Sequence, residues 1–94
     1  MPSVTRQGDT SSGHGGFPPV PLSSGSSNVF VNGTPCGRQS DSYPSHTDGT
    51  ETHAGSISGG SSTVFVNGLP IARVGDSVSC GGTVSVGSPN VNAN

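Results

Sequence analysis

The feature that most constrains this chain is an internal repeat. The segment GSSNVFVNGTPCGRQSD, residues 25–41, returns as GSSTVFVNGLPIARVGD, residues 60–76. Both copies end in an Arg-x-x-Asp motif, and a further motif of this kind, RQGD, lies at residues 6–9. Because self-similarity indicates repeated structural units, we interpret the chain as three related units in one domain. The predicted boundaries are approximately 4–35, 36–70 and 71–94 for the units and 1–94 for the domain.

Within each unit, the pattern predicts short β-strands joined by tight turns. The apolar VFV segments, 29–31 and 64–66, are each followed by an Asn-Gly pair. Asn-Gly after an apolar run indicates a two-residue hairpin, because a type I′ turn requires positive φ at both central residues. No segment shows helical periodicity. We therefore predict an all-β fold. The third unit ends in NVNAN, a degenerate copy of NVFVN, and is expected to be less complete than the others.

The chain is poor in the side chains that build an ordinary core. Only 27% of its residues are hydrophobic, and 16 glycines and 8 prolines are present among 94 residues. Since ordering a chain costs roughly 1.5 kcal/mol per residue, a fold of this composition needs a metal, a disulfide or a partner for support. The composition also fits a disordered surface linker, although 9% charged residues is low for a disordered segment.

The charge balance and the amino terminus exclude several function classes. The net charge is −2, so the basic patches of nucleic-acid-binding or anionic-membrane-binding proteins are not expected. The opening MPSVTRQGD lacks the apolar segment of a secretory signal, which predicts synthesis in the cytosol. A Cys36–Cys80 disulfide would be disfavoured there but stays an alternative. Cys36 takes the place of Ile71 in the repeat, so we interpret it as a small buried apolar residue.

The three Arg-x-x-Asp motifs are interpreted as structural. The acidic residue would shape a turn, and the arginine would pair with a nearby carboxylate or carbonyl oxygen. Catalysis would require a nucleophile or a base beside the motif, and the repeated units offer neither.

The histidines and one cysteine form the strongest functional signal. Counted from the turn acids, His14 and His46 each follow by five residues, and Cys80 follows by four. Counted instead from the glycine-rich links HGG, HAG and CGG, the equivalent residues are His14, His53 and Cys80. Units arranged around a threefold axis would bring three ligands together, and the additional histidine would supply a fourth. The set matches the closed Cys-His₃ type of tetrahedral zinc site. Solvated loop histidines are the alternative.

Several segments of the sequence resemble those of a known protein family. NGLPIARVGD, residues 67–76, resembles the Pro-Ala-Ala-Arg signature of PAAR-repeat proteins, with Ile71 in the first alanine position. NGTPCGRQSD, residues 32–41, is a looser copy, and CGGTVSVGSPNV at 80–91 is typical of the family. The segments GHGGFPP and SHTDGTETHAG are similar to its phage-type branch.

The resemblance implies a fold and a function. PAAR proteins are small β-structured cones that cap the trimeric β-helical spike of type VI secretion systems and contractile phage tails, and they carry a zinc near the apex. Carried onto this sequence, the ligands would be His14, His46, His53 and Cys80. One chain would sit on each spike homotrimer, with the VFV strands at its base, and would contact the target membrane transiently. Any cargo would bind non-covalently.

The sequence is also compatible with two other functions. The first is a small zinc hydrolase, for which Glu51, the only glutamate, would be the general base. The second is the disordered linker. Phage baseplate and secretion system are both open as the machine to which a spike tip would belong.

Overall fold

The computed structural model describes residues 2–94, which form three short antiparallel hairpins and a series of isolated bridges. The strands are β1 Phe30–Val31, β2 Thr34–Pro35, β3 Ser42–Thr47, β4 Thr52–Ser56, β5 Phe65–Val66 and β6 Leu69–Pro70. They pair as β1–β2, β3–β4 and β5–β6. The predicted all-β fold is confirmed. Within the described residues, no helix is long and apolar enough to cross a membrane.

The two Asn-Gly turns have the predicted geometry. Asn32 and Gly33 have φ of 54° and 77°, and Asn67 and Gly68 have φ of 55° and 78°. Positive φ at both central residues defines the type I′ turn, which matches the twist of the flanking strands. Each turn therefore closes a hairpin of two residue pairs, for example Phe30 with Pro35.

The two ends of the chain form a bridge at the position that β1–β2 and β5–β6 occupy in the other units. Ser3 and Asn92 form an antiparallel bridge, and the amide of Ala93 donates to the carbonyl of Pro2 at 3.0 Å. In the repeat, Asn92 and Ala93 correspond to Phe30 and Val31. The start of the chain therefore pairs with the shortened third unit, although through one bridge rather than through two residue pairs.

The three units meet in a ring of backbone hydrogen bonds. The amide of Thr5 donates to the carbonyl of Ala72 at 3.1 Å, Ala72 donates to Gly37 at 3.0 Å, and Gly37 donates to Thr5 at 2.9 Å. Each of these buried residues directly precedes the arginine of an Arg-x-x-Asp motif. The closed ring places a pseudo-threefold axis through its centre, which is why the sequence around each motif repeats.

The Arg-x-x-Asp motifs close turns, as the sequence predicted. Nε and Nη2 of Arg38 donate to the two carboxylate oxygens of Asp41, at 3.1 and 2.9 Å. The amide of Arg38 also donates to this carboxylate, at 2.7 Å, and the amide of Asp41 donates to the carbonyl of Arg38. The other two motifs form equivalent bidentate pairs. The hydrogen bond to Asp41 raises the pKa of Arg38, so the guanidinium stays charged.

The first serine of each GSSNV, GSSTV or GSPNV segment is a buried turn residue. Ser26, Ser61 and Ser88 are each 1% exposed. In each, Oγ accepts the backbone amides two and three residues later, as between Ser26 and Asn28 at 3.2 Å. A local side-chain acceptor of this kind holds a turn where no strand ladder is available.

The buried apolar residues form two clusters. The hairpin cluster contains the residues Val4, Val31, Cys36, Val66, Ile71 and Ala93. The central cluster contains the residues Leu22, Tyr43, Ile57, Ala72, Val78 and Val84. The molecule is elongated, with extents of 38 × 23 × 23 Å. We call the part formed by β1–β2, β5–β6 and the Ser3–Asn92 bridge the hairpin end, and the part that carries the four candidate ligands the histidine end.

The two cysteines belong to different parts of this core. Cys36 is fully buried in the hairpin cluster, and burial raises the pKa of its thiol. Cys80 packs against the central cluster instead, and both thiols are free. Cys36 therefore acts as the small apolar residue predicted from its alignment with Ile71, and the alternative of a Cys36–Cys80 disulfide is not realised.

Candidate metal centre

The hairpin β3–β4 positions two of the predicted ligands. His46 and His53 are directly opposite each other, so their side chains lie on the same face of the hairpin. A bulge lies between Tyr43 and His46, where two residues of β3 face one residue of β4. In a regular strand, residues three apart point to opposite faces. The bulge removes this alternation, so Tyr43 and His46 are both buried.

A tight turn positions His14. His14 and Phe17 exchange both backbone hydrogen bonds, at 3.0 and 2.7 Å, across the turn residues Gly15 and Gly16. The two glycines have φ of 50° and 93°, the left-handed region that residues with a Cβ rarely adopt. The HGG link is therefore the turn of a small hairpin that ends at the metal centre.

Cys80 lies in the shortest of the three loops. The amide of Val78 donates to the carbonyl of Gly82, so that Cys80 lies at the tip of a tight turn. A Cβ on Gly55 would come within 2.8 Å of Sγ of Cys80 and 2.9 Å of Cγ1 of Val78. Glycine at this position of β4 lets the turn approach the hairpin closely enough for the thiol to reach the histidines.

The four predicted residues come together at the histidine end. One ligand atom from each of His14, His46, His53 and Cys80 lies within 4.8 Å of every other. The Nε2 atoms of His14 and His53 are 3.2 Å apart, and Sγ of Cys80 is 3.9 Å from Nε2 of His46. A tetrahedral zinc with metal–nitrogen bonds of about 2.0 Å and metal–sulfur bonds of about 2.3 Å separates its ligand atoms by about 3.3–3.6 Å. The group could therefore hold one metal ion with little movement.

A further contact orients the most buried candidate ligand, His46. Nδ1 of His46 lies 2.8 Å from the carbonyl oxygen of Pro18, which can only accept, so this nitrogen carries the proton. The other ring nitrogen, Nε2, is then available as the metal-binding atom. Metal-binding histidines are commonly held in this way, by a carbonyl or carboxylate on the nitrogen that does not coordinate. His46 is 6% exposed, whereas the other three ligand candidates are half-buried.

The chemistry of the four donors favours a borderline-soft ion. Three imidazoles and one thiolate form a recognised zinc-binding set, and no carboxylate is among them.

Glu51, the general base of the hydrolase alternative, is an exposed turn residue. Its backbone amide donates to Asp48, and its carbonyl accepts the hydroxyl of Thr47.

Sequence reasoning missed one residue of this centre, Phe17. Its ring packs against all three imidazoles. The signal was present in the segment HGGF: when His-Gly-Gly-Phe forms a two-residue hairpin turn, the first and last residues lie opposite each other on one face.

Comparison with known proteins agrees with this architecture. The family model described as the PAAR motif matches residues 7–86, which is most of the chain. No curated protein matches the chain significantly.

Proposed function

The chain belongs to the PAAR motif family of spike-tip proteins, and from this premise we propose that it caps the end of a homotrimeric β-helical spike, one chain per trimer. The observation that carries the proposal is the pseudo-threefold ring of Thr5, Gly37 and Ala72. A single chain with three equivalent units can offer a similar surface to each of three identical subunits, which a chain without a repeat could not do.

The hairpin end is the proposed docking surface. Phe30 and Phe65 are each 56% exposed there, and Val29 is 37% exposed. Large exposed apolar side chains at equivalent positions are typical of interaction surfaces rather than of free surfaces. A trimeric β-fibre ends in unpaired strand edges, which promote aggregation unless they are covered. Covering that end is the first part of the proposed role.

The second part is a stiff, sharp tip. We propose one structural zinc ion, held by His14, His46, His53 and Cys80 at the histidine end. A structural zinc contributes on the order of 10 kcal/mol to folding, which would compensate for the small core of this chain. Four protein donors also complete a tetrahedral set and leave no open position for a reacting water, which favours a structural over a catalytic ion.

The proposed setting is a contractile injection machine, either a phage baseplate or a type VI secretion system. The protein would be made in the cytosol as one domain, join the spike there, and meet the target membrane only during puncture. Cargo would bind non-covalently, and no nucleic-acid partner is proposed. The hydrolase with Glu51 as its base is the remaining rival. The disordered linker is not compatible with the packed core described above.

Stoichiometric binding to the spike tests the proposal. The chain is mixed with the β-helical portion of its cognate spike protein, and the complex is weighed by native mass spectrometry. We expect one chain per trimer, and loss of binding in the double variant Phe30→Asp, Phe65→Asp. The control Asp48→Asn alters the opposite end and should bind normally. Three chains per trimer, or full binding by the double variant, would contradict the proposed surface.

A puncture assay tests the mechanical role separately. A machine that lacks this chain should deliver cargo less efficiently than the complete machine. Equal delivery by both would leave a capping protein without a role in penetration.

A further inference from the structure

We propose that Phe17 is a positioning residue of the metal centre, whose ring orients the three histidine ligands and shields the ion from water and competing ligands. The proposal rests on the metal centre proposed above. It predicts that Phe17 slows the release of the ion.

The ring of Phe17 contacts every imidazole of the centre. Its centroid lies 4.0 Å from that of His53, with an angle of 22° between the planes. The centroids of His14 and His46 are each 4.9 Å away, at angles of 25° and 39°. These separations are comparable with the 4.6–5.2 Å between the imidazoles themselves. The four rings therefore pack as one cluster, in which only Phe17 has no atom that can bind a metal.

The backbone holds this ring as firmly as it holds a ligand. His14 and Phe17 form a hydrogen-bonded pair across a two-glycine turn, so their side chains are fixed on the same face. The next residue, Pro18, supplies the carbonyl oxygen that accepts from Nδ1 of His46. One five-residue segment, 14–18, thus provides a ligand, an aromatic contact to three ligands and the acceptor that sets the tautomer of a second ligand.

Two physical consequences follow from the contact. Aromatic rings in contact attract one another, so packing against three imidazoles restricts the rotations that would carry a ligand atom away from the ion. An apolar ring beside the ligands also excludes water, which must enter before a ligand can be exchanged. The backbone of Gly55 lies close to Sγ of Cys80. Phe17 would cover the histidine side.

The test measures how fast zinc leaves the full-length chain. The zinc-loaded protein and its Phe17→Ala and Phe17→Leu variants are mixed with excess chromophoric chelator, and zinc transfer is followed by absorbance. Substitutions next to metal ligands typically change metal binding by about 10–100-fold. We expect Phe17→Ala to release zinc faster by an amount in this range and Phe17→Leu, which is apolar but not flat, to fall between it and the parent. The matched control Phe65→Ala should release zinc at the parent rate.

A spectrum of the cobalt-substituted protein separates positioning from ligation. Phe17→Ala should retain tetrahedral d–d bands and a thiolate-to-cobalt transition, because all four ligands remain. Parent-like release by both variants would overturn the proposal. If Phe17→Ala does not fold, Phe17→Leu decides alone, and a parent-like rate there overturns it. If the parent chain itself binds no zinc, the metal centre fails, which is a different outcome from an unchanged rate in a zinc-loaded variant.

Discussion

The two ends of this molecule are built by opposite rules. At the hairpin end, related hydrogen bonds recur in the three units, and a bridge between the chain termini takes the place of a hairpin that the other units close with Asn-Gly turns. At the histidine end, the three units differ in loop length and contribute one, two and one candidate ligands. The difference has a chemical reason. The proposed trimeric partner would favour three similar surfaces, whereas the proposed tetrahedral ion would need four donors, so one unit would supply two.

Loss of a ligand should have the largest effect and should separate the two ends. We expect His46→Ala to lose a large part of the stabilisation by zinc, which is on the order of 10 kcal/mol in structural sites. Hydrogen exchange measured by mass spectrometry should increase first in β3, β4 and the loops of the histidine end. The control Glu51→Gln should keep zinc and normal protection. Uniform loss of protection at both ends would show that the ends do not differ in their dependence on the metal.

The substitution Asp41→Ala tests the turn that all three units share. This change removes the acceptor of four hydrogen bonds, from the side chain and amide of Arg38 and from Ser24. Loss of hydrogen bonds to a buried charge costs about 1.5–3 kcal/mol, and we expect a destabilisation of about 3 kcal/mol in urea unfolding. The folded fraction should still bind one zinc per chain. A variant as stable as the parent would contradict a structural role for the motif.

Tyr43 lies between the two ends and makes the central cluster sensitive to alkali. Its hydroxyl is the one buried side-chain polar atom of residues 2–94 without a hydrogen-bond partner. Burial, assisted by Asp9 and Cys80, raises the pKa of Tyr43 from 10 to about 12. The neutral hydroxyl is therefore favoured in the folded state. The contribution of Tyr43 to the free energy of unfolding is complete below pH 10 and is lost as the pH rises through about 12.

Tyr43→Phe should remove this sensitivity. The pKa difference corresponds to roughly 2–3 kcal/mol, so the variant should unfold at higher pH than the parent in an alkaline titration monitored by circular dichroism. At neutral pH it should be as stable as the parent or about 1 kcal/mol more stable, because an unpaired buried hydroxyl is removed. Coincident alkaline transitions would show that Tyr43 does not govern the response.

The smallest expected effect tests the symmetry of the hairpin end. The hydroxyls of Ser26 and Ser88 reach the amide oxygens of Asn67 and Asn32 in neighbouring units, at 2.7 and 2.6 Å. Among residues 2–94, the hydroxyl of Ser61 has a side-chain partner only within its own unit, Thr63 at 3.3 Å. Ser88→Ala should therefore cost about 1 kcal/mol more than Ser61→Ala in the free energy of unfolding. Equal costs would mean that these contacts between units add no stability.

Local patterns were readable from the sequence where each residue acts on its neighbours. Asn32 and Asn67 mark the hairpin turns through their own tolerance of positive φ. Each Arg-x-x-Asp motif contains both partners of its ion pair within four residues. The convergence of His14, His46, His53 and Cys80 could also be inferred, because the repeat implied an axis and the four residues lie near equivalent positions.

Three features depended on contacts between distant residues. The pairing of Ser3 with Asn92 joins opposite ends of the chain, and no local pattern indicates it. The bulge that turns His46 inward follows from the register of β3 against β4. The position of Phe17 over the histidines requires the turn at Gly15 and Gly16 to lie against the hairpin β3–β4.

The sequence by itself determined the repeated unit, its turns and the donor chemistry of the centre, because these depend on φ preferences and functional groups within a few residues. The tertiary structure decided how the units close and which side chains surround the ligands. Ring closure and register are set by packing and hydrogen bonding between units, and these energies exist only once distant segments are in contact.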